Sequence, residues 1–153
     1  MKTAATDISK LLVKIKSDCA AMVDAASAKI FRSVSALVFN PKARNTPFLG
    51  IFLLEDPDRD YNNIGCFTNY RFKLSVGIKS ANEAKIIDEI SYVRSKLKNF
   101  FQNDPDYSAI VSGYTQMTVE GGAIRDETPE GLAGVMIWDT GLILDVEVER
   151  EIK

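Results

Sequence analysis

The residues whose types and spacing come nearest to chemistry are Asp139-Thr140-Gly141, preceded by Ile137-Trp138. An aspartate presented on such a step can meet its copy across a homodimer axis. The two carboxyls would then share one proton, because like charges a few ångströms apart do not both ionise, and the pair would activate water against a peptide bond. The same triplet is good turn chemistry: Asp bonds its own backbone and Gly adopts positive φ freely. A three-residue match arises often by chance, so a hairpin turn carries more weight. Retroviral-type aspartic proteases, which use this triplet, need more chain after it than the 12 residues that follow Gly141.

A second constellation is Asp56-Pro57-Asp58-Arg59-Asp60-Tyr61-Asn62, with oxygen ligands at alternate positions as in a calcium loop. The position that needs Gly is Tyr61, and the position of the bidentate Glu is Phe67. A solvated acidic loop is the better reading. Gly121-Gly122 has acidic neighbours and no following Lys-Ser/Thr, so it is no phosphate loop. Ser75 and Ser112 have no histidine to activate them, and nothing in the spacing suggests a Ser-Lys dyad.

The chain has no histidine and two cysteines, Cys19 and Cys66. This excludes Ser-His-Asp and Cys-His nucleophile systems, His-based metal sites and a structural zinc. No cofactor is expected. Cys19 falls on the apolar side of a helical pattern, which favours two reduced thiols over a disulfide.

Two charge patterns bear on assembly. Arg71 and Lys73 make one strand face basic; Asp145, Glu147 and Glu149 make the face of the last strand acidic. If the strands are neighbours, these residues pair across the sheet. If not, each subunit has a basic and an acidic edge, which suits head-to-tail ring assembly.

Elements to position these groups can be read from periodicity. Residues 7–30 read as one long helix, with Ile8, Leu12, Ile15, Cys19, Met22 and Ala26 as a seam and Leu11 and Val23 alongside. Thr6 or Asp7 can cap it. Residues 33–39 are β-prone, and the continuous apolar run 48–54 suits a strand covered on both faces. The polar stretch 55–69 reads as a loop. Tyr70, Phe72, Leu74, Val76 and Ile78 alternate with Arg71, Lys73 and Ser75 in a strict period of two, the clearest strand in the chain.

Ser80-Ala81-Asn82-Glu83 has the form of a capping box opening a second helix over 81–102. Its stripe is Ile86, Ile90, Val93, Leu97 and Phe100, joined by Ile87 and Phe101, with acids early and bases late. Residues 108–119 read as a strand and 120–131 as a Gly/Pro/acid loop, mobile or ordered on binding. Residues 132–138 and 142–150 read as a hairpin about the Asp139 triplet.

These elements predict one α+β domain over 1–153: a mainly antiparallel sheet with two long helices on one face. With 153 residues there is room for a core, and 46% hydrophobic and 26% charged residues are ordinary for a globular domain. A net charge of -2 gives no basic field to hold nucleic acid. No run approaches the roughly 20 apolar residues of a membrane span. The charged start, without a signal-like apolar stretch, leads us to expect a cytoplasmic protein.

The order of a long N-terminal helix, the strand Pro47-Phe48-Leu49-Gly50-Ile51-Phe52-Leu53, the strand from Tyr70, a capped second helix and the closing strand Leu144-Asp145-Val146-Glu147-Val148-Glu149 resembles the tail terminator and minor tail (tail-completion) proteins of tailed bacteriophages. The resemblance covers nearly the whole chain and rests on element order and size. It implies a virion structural protein that assembles in the host cytoplasm and caps the tail tube as a ring, a hexamer. Its partners would be its own copies, the tube protein and the head-completion or neck protein, with DNA passing through unread and no membrane involved. The loops 55–69 and 120–131, with Asp56, Asp58, Asp60, Arg125, Asp126 and Glu127, would be docking loops. A small-molecule- or peptide-binding α+β module is the alternative.

Overall fold

The computed structural model describes residues 6–38, 46–54, 67–79, 82–103 and 105–149. Elements in chain order are α1 (Asp7–Ala20), β1 (Ser33–Ala36), β2 (Phe48–Leu53), β3 (Phe67–Lys79), α2 (Glu83–Gln102), β4 (Tyr114–Gly121), β5 (Arg125–Asp126) and β6 (Val135–Glu149). The protein is α+β, with a six-stranded sheet in the order β1-β2-β3-β6-β4; β5 pairs with β6 beyond β4. Among the described residues β1 and β2 run parallel, and the other strand pairs are antiparallel.

The period-two pattern of β3 decides which face is buried. Tyr70, Phe72, Leu74, Val76 and Ile78 are all buried, as are their β6 counterparts Leu142, Leu144, Val146 and Val148. Both helices pack on this face: Leu11, Leu12, Ile15 and Cys19 of α1 join Ile86, Ile90, Val93, Leu97 and Phe101 of α2 in one cluster with those strands. Each fully buried side chain of this kind contributes about 1.5–3 kcal/mol of transfer free energy. A smaller cluster of Phe48, Val135 and Ile137, with Leu132 against it, lies on the other face. There Phe48 pairs with Gly77, whose missing side chain leaves room for the ring; a Cβ at Gly77 would sit 2.0 Å from Phe48 Cζ.

α2 follows its stripe closely, with two exchanges. Phe101 faces the core, while Phe100 and Ile87 are exposed. Its N-cap is Asn82, whose side chain accepts from the Lys85 N–H at 3.0 Å. The Ser80 half of the expected capping box lies outside the described residues.

α1 is shorter than expected. Thr6 caps its start by accepting from Ser9 N–H, but it ends at Ala20 rather than at residue 30. Met22 is still buried, so the seam persists for one more residue in non-helical chain. Asp24 explains the stop: its carboxylate accepts from the N–H groups of Ala26 and Ala28, and Ser27 takes a positive φ of 62°. A short acceptor side chain that bonds downstream amides stabilises a turn at the expense of a helix.

The largest correction concerns the C-terminal region. Residues 132–138 and 142–150 do not form a hairpin about Asp139-Thr140-Gly141. They belong to one continuous strand, β6, that spans 15 residues. The triplet is a bulge within it: the register with β3 passes from Lys73↔Ile143 to Ser75↔Asp139, so two residues of β3 advance against four of β6. Asx-type bonding and positive φ at Gly serve a bulge as well as a turn. Asp139 Oδ1 accepts from Gly141 N–H at 2.9 Å, and Gly141 has φ 75°.

Three further boundaries moved. Residues 108–113 are turns, and β4 begins at Tyr114, because the Asp106 carboxylate takes the Ser108 N–H instead. The stretch 120–131 is not a free loop, since Gly121 closes β4 and Arg125–Asp126 pair with β6. Phe67, Thr68 and Asn69 belong to β3 rather than to the preceding loop.

Candidate functional site: the open face of the sheet

The helices leave one face of the sheet uncovered by helix, and alternation puts the polar residues of β3, β4 and β6 there. β3 and β6 are neighbours, so Arg71 stands opposite Asp145. The five residues expected either to pair or to form opposite edges therefore lie side by side. Separate basic and acidic edges do not form, because both charge sets occupy adjacent strands of one face.

Two ion-pair groups result. Arg71 Nη2 donates to Glu120 Oε2 at 2.5 Å, and its Nε lies 3.7 Å from Asp145 Oδ2. Asn69 Nδ2 donates to Asp145 Oδ1 at 2.9 Å. Burial pushes the Asp145 carboxyl above its ordinary range, reinforced by Glu120 and Glu147 and opposed by the Asn69 bond and Arg71. In the second group Lys73 Nζ bonds Glu127 and lies 3.8 Å from Asp139 Oδ2. Ser75 Oγ donates to the other Glu127 oxygen at 3.0 Å. Glu147 accepts from Thr115 Oγ1 at 3.0 Å, and Glu149 is exposed at the end of β6.

A shallow 220 Å³ depression opens where the strands are interrupted, lined by Leu54, Lys73, Gly122, Ala123, Arg125, Asp139, Gly141 and Ile143. The bulge that forms it is held from below. Thr140 Oγ1 donates to Leu74 O at 2.8 Å and accepts from Leu142 N–H at 3.2 Å. From α2, Arg94 Nε donates to Thr140 O at 2.9 Å and Nη2 to Gly122 O at 3.3 Å. One side chain thus secures the break in β6 and the break between β4 and β5.

The fate of the expected docking residues is mixed. Asp56, Asp58 and Asp60 lie outside the described residues, as does Cys66. Arg125 and Asp126 form β5, opposite Asp139 and Trp138. Asp126 accepts from Thr128 Oγ1 and Thr128 N–H, which holds its carboxyl below the ordinary range. Glu127 is turned onto the sheet toward Lys73 and Ser75.

Ser75, Glu120 and Arg94 were not singled out from the sequence for these roles. Ser75 shares a face with Arg71 and Lys73 by simple alternation, so that signal was present. The partners from β4 and α2 depend on a register that alternation does not supply.

Chemically, this face binds its own charges. Ser75 is 1% exposed and donates to a carboxylate, so its hydroxyl is not presented to a substrate. Among the described residues no group of three or more Cys, Asp or Glu side chains could hold a metal ion, and no helix is long and apolar enough to cross a membrane. No protein-family model matches the chain, and no curated protein matches it.

Proposed function

We propose that this protein is a non-enzymatic structural subunit of a bacteriophage tail, of the tail terminator type, that closes the tail tube as a ring and offers a surface to the head-neck proteins. One observation carries the reading: the sheet is one-sided, with both helices on one face and a self-paired face rich in acids on the other. A ring of such subunits with this face toward its bore would present surplus carboxylates to passing DNA and would not grip phosphates. The element order that suggested the family is retained, although α1 is shorter. The family that the element order resembles implies a ring of six copies, and we propose that number here. Negative-stain images of the purified protein, alone and with tail tubes, should show rings and capped tube ends. A protein that stays monomeric in every condition and never associates with tubes would overturn the proposal.

A second reading has its own observation. A 430 Å³ cleft lies between the C-terminal ends of the helices, lined by Met22, Ile30 and Phe100 together with Asp18, Asn99 and Asn103. Apolar walls with a few convergent polar groups are what a small-molecule or peptide site needs. Under that reading Met22→Trp, which narrows the cleft, abolishes the thermal stabilisation that a compound screen finds with the unaltered protein.

A further inference from the structure

The outer surfaces of the two helices carry exposed stripes whose contacts within the domain are confined to their own helices. On α1, Lys10, Val13, Lys14 and Ser17 follow the i, i+3, i+4, i+7 spacing that aligns side chains on one face. They line a 490 Å³ groove with Ala109 and Ile110. Val13 stands 66% exposed in it, the apolar centre of a stripe that is otherwise polar. On α2, Lys85, Asp88, Glu89 and Tyr92 follow the same spacing and line a 460 Å³ groove, with Tyr92 43% exposed and Ile87 beside it at 55%.

The stripes are complementary. The α1 stripe is an apolar residue flanked by two lysines. The α2 stripe sets Asp88 and Glu89 between Lys85 and the aromatic Tyr92, so its middle is acidic, and Lys96 Nζ lies 5.7 Å from the Tyr92 ring centroid on the C-terminal side. Among the described residues the ion pair that Lys14 makes is the i, i+4 contact with Asp18 at 3.0 Å, a pair on one helix worth a few tenths of a kcal/mol. No ion pair involving Lys10, Asp88 or Glu89 is formed among the described residues. Both helices lie on the same side of the sheet, α1 over β1 and α2 over β3, β6 and β4, so the stripes belong to one layer.

We propose that α1 of one copy docks against α2 of the next, with Tyr92 seated in the groove at Val13 and Ile110 and with Lys10 and Lys14 facing Asp88 and Glu89. The contact is heterologous: each copy offers one stripe and receives the other, which builds rings or filaments rather than closed dimers. A buried aromatic anchor with charges at its rim is the usual energetic pattern of such joints. The inference rests on the ring reading above and names the joint that would make the ring.

The test uses the intact chain in two charge-reversed forms, Lys10→Glu with Lys14→Glu, and Asp88→Lys with Glu89→Lys. Sedimentation velocity across a concentration series should show the unaltered protein associating. Each reversed form alone should associate at least about tenfold more weakly, since like charges then meet across the joint. An equimolar mixture should recover association, because every joint in an alternating ring is again opposite in sign. Val13→Ser and Tyr92→Ser, which leave the charges alone and alter only exposed side chains, should weaken association likewise. If the reversed forms assemble as well as the unaltered protein, or if mixing them restores nothing, this joint is wrong while the ring reading survives. If the unaltered protein is monomeric at every concentration and forms no ring with tubes, both fail.

Discussion

Arg94 Nε donates to the Thr140 carbonyl over 2.9 Å, and through that bond a residue of the helical layer reaches the middle of β6. Its Nη2 reaches Gly122 O as well, so the guanidinium fork spans two interrupted strands. Arg94→Ala should cost about 1–3 kcal/mol, the range for losing hydrogen bonds from a charged donor at partly buried acceptors. Arg94→Lys should recover only part of this, because an ammonium cannot reproduce the fork. Urea midpoints of the three proteins would check both statements; equal midpoints would refute the clamp.

Gly77 and Phe48 form the second test. A Cβ at Gly77 would meet the Phe48 ring at 2.0 Å, and Phe48 is only 2% exposed. Gly77→Ala should therefore destabilise by about 1–3 kcal/mol through overpacking. Phe48→Ala leaves a cavity at about 3–5 kcal/mol, but the extra methyl at position 77 then has room. The double substitution should cost clearly less than the sum of the singles. Strict additivity in chemical denaturation would mean that the ring does not cover Gly77.

Tyr107 donates its hydroxyl to Asp18 at 2.7 Å, tying the chain after α2 to α1. Burial, then the bond to Asp18, pushes the phenol well above its ordinary value of 10.0. The folded state thus keeps this proton where the unfolded state loses it. The stabilisation is complete below pH 10 and falls as pH rises beyond it. Tyr107→Phe should lose about 1.5–3 kcal/mol at neutral pH, since the acceptor is a carboxylate. Above roughly pH 10 its stability should decline less steeply than that of the unaltered protein. Cys19 is also pushed upward by burial, and both proteins keep that thiol. Denaturation midpoints followed from neutral to alkaline pH would reveal parallel curves if the reading is wrong.

Asp139 offers a test of whether the triplet does chemistry. Its Oδ1 accepts from Gly141 N–H, a role that the amide oxygen of Asn can fill. Asp139→Asn should fold normally and lose at most about 1 kcal/mol, from the weak contact with Lys73 at 3.8 Å. Neither it nor the unaltered protein should cleave peptides at acid or neutral pH. Cleavage by the unaltered protein that disappears in the variant would establish a protease and sink the structural reading.

Much of the fold was legible because burial imposes a period. β3 and α2 carry their patterns in residues that all obey one helical or strand repeat, and the chain follows them. α1 failed where the repeat outlasted the helix: Met22 keeps the seam, yet Asp24 satisfies the amides of Ala26 and Ala28 locally. β6 failed because Asp139-Thr140-Gly141 suits a hairpin and a bulge equally, and only pairing with Leu74 and Gly122 decides between them. The ion-pair face was half legible. Arg71, Lys73 and Asp145 were read from alternation, whereas Glu120 and Glu127 are brought in by β4 and by the chain after β5.

The interruption in β6 adds two residues relative to β3, an even number. An even insertion preserves parity, so odd-numbered positions face outward both before it, at Ile137 and Asp139, and after it, at Ile143 and Asp145. Removing Thr140 and Gly141 together would flatten the strand yet keep every side chain on its side. Removing either one alone would turn Leu142, Leu144, Val146 and Val148 out of the core and draw Asp145 and Glu147 in. At this point the strand can tolerate a change in length only in steps of two.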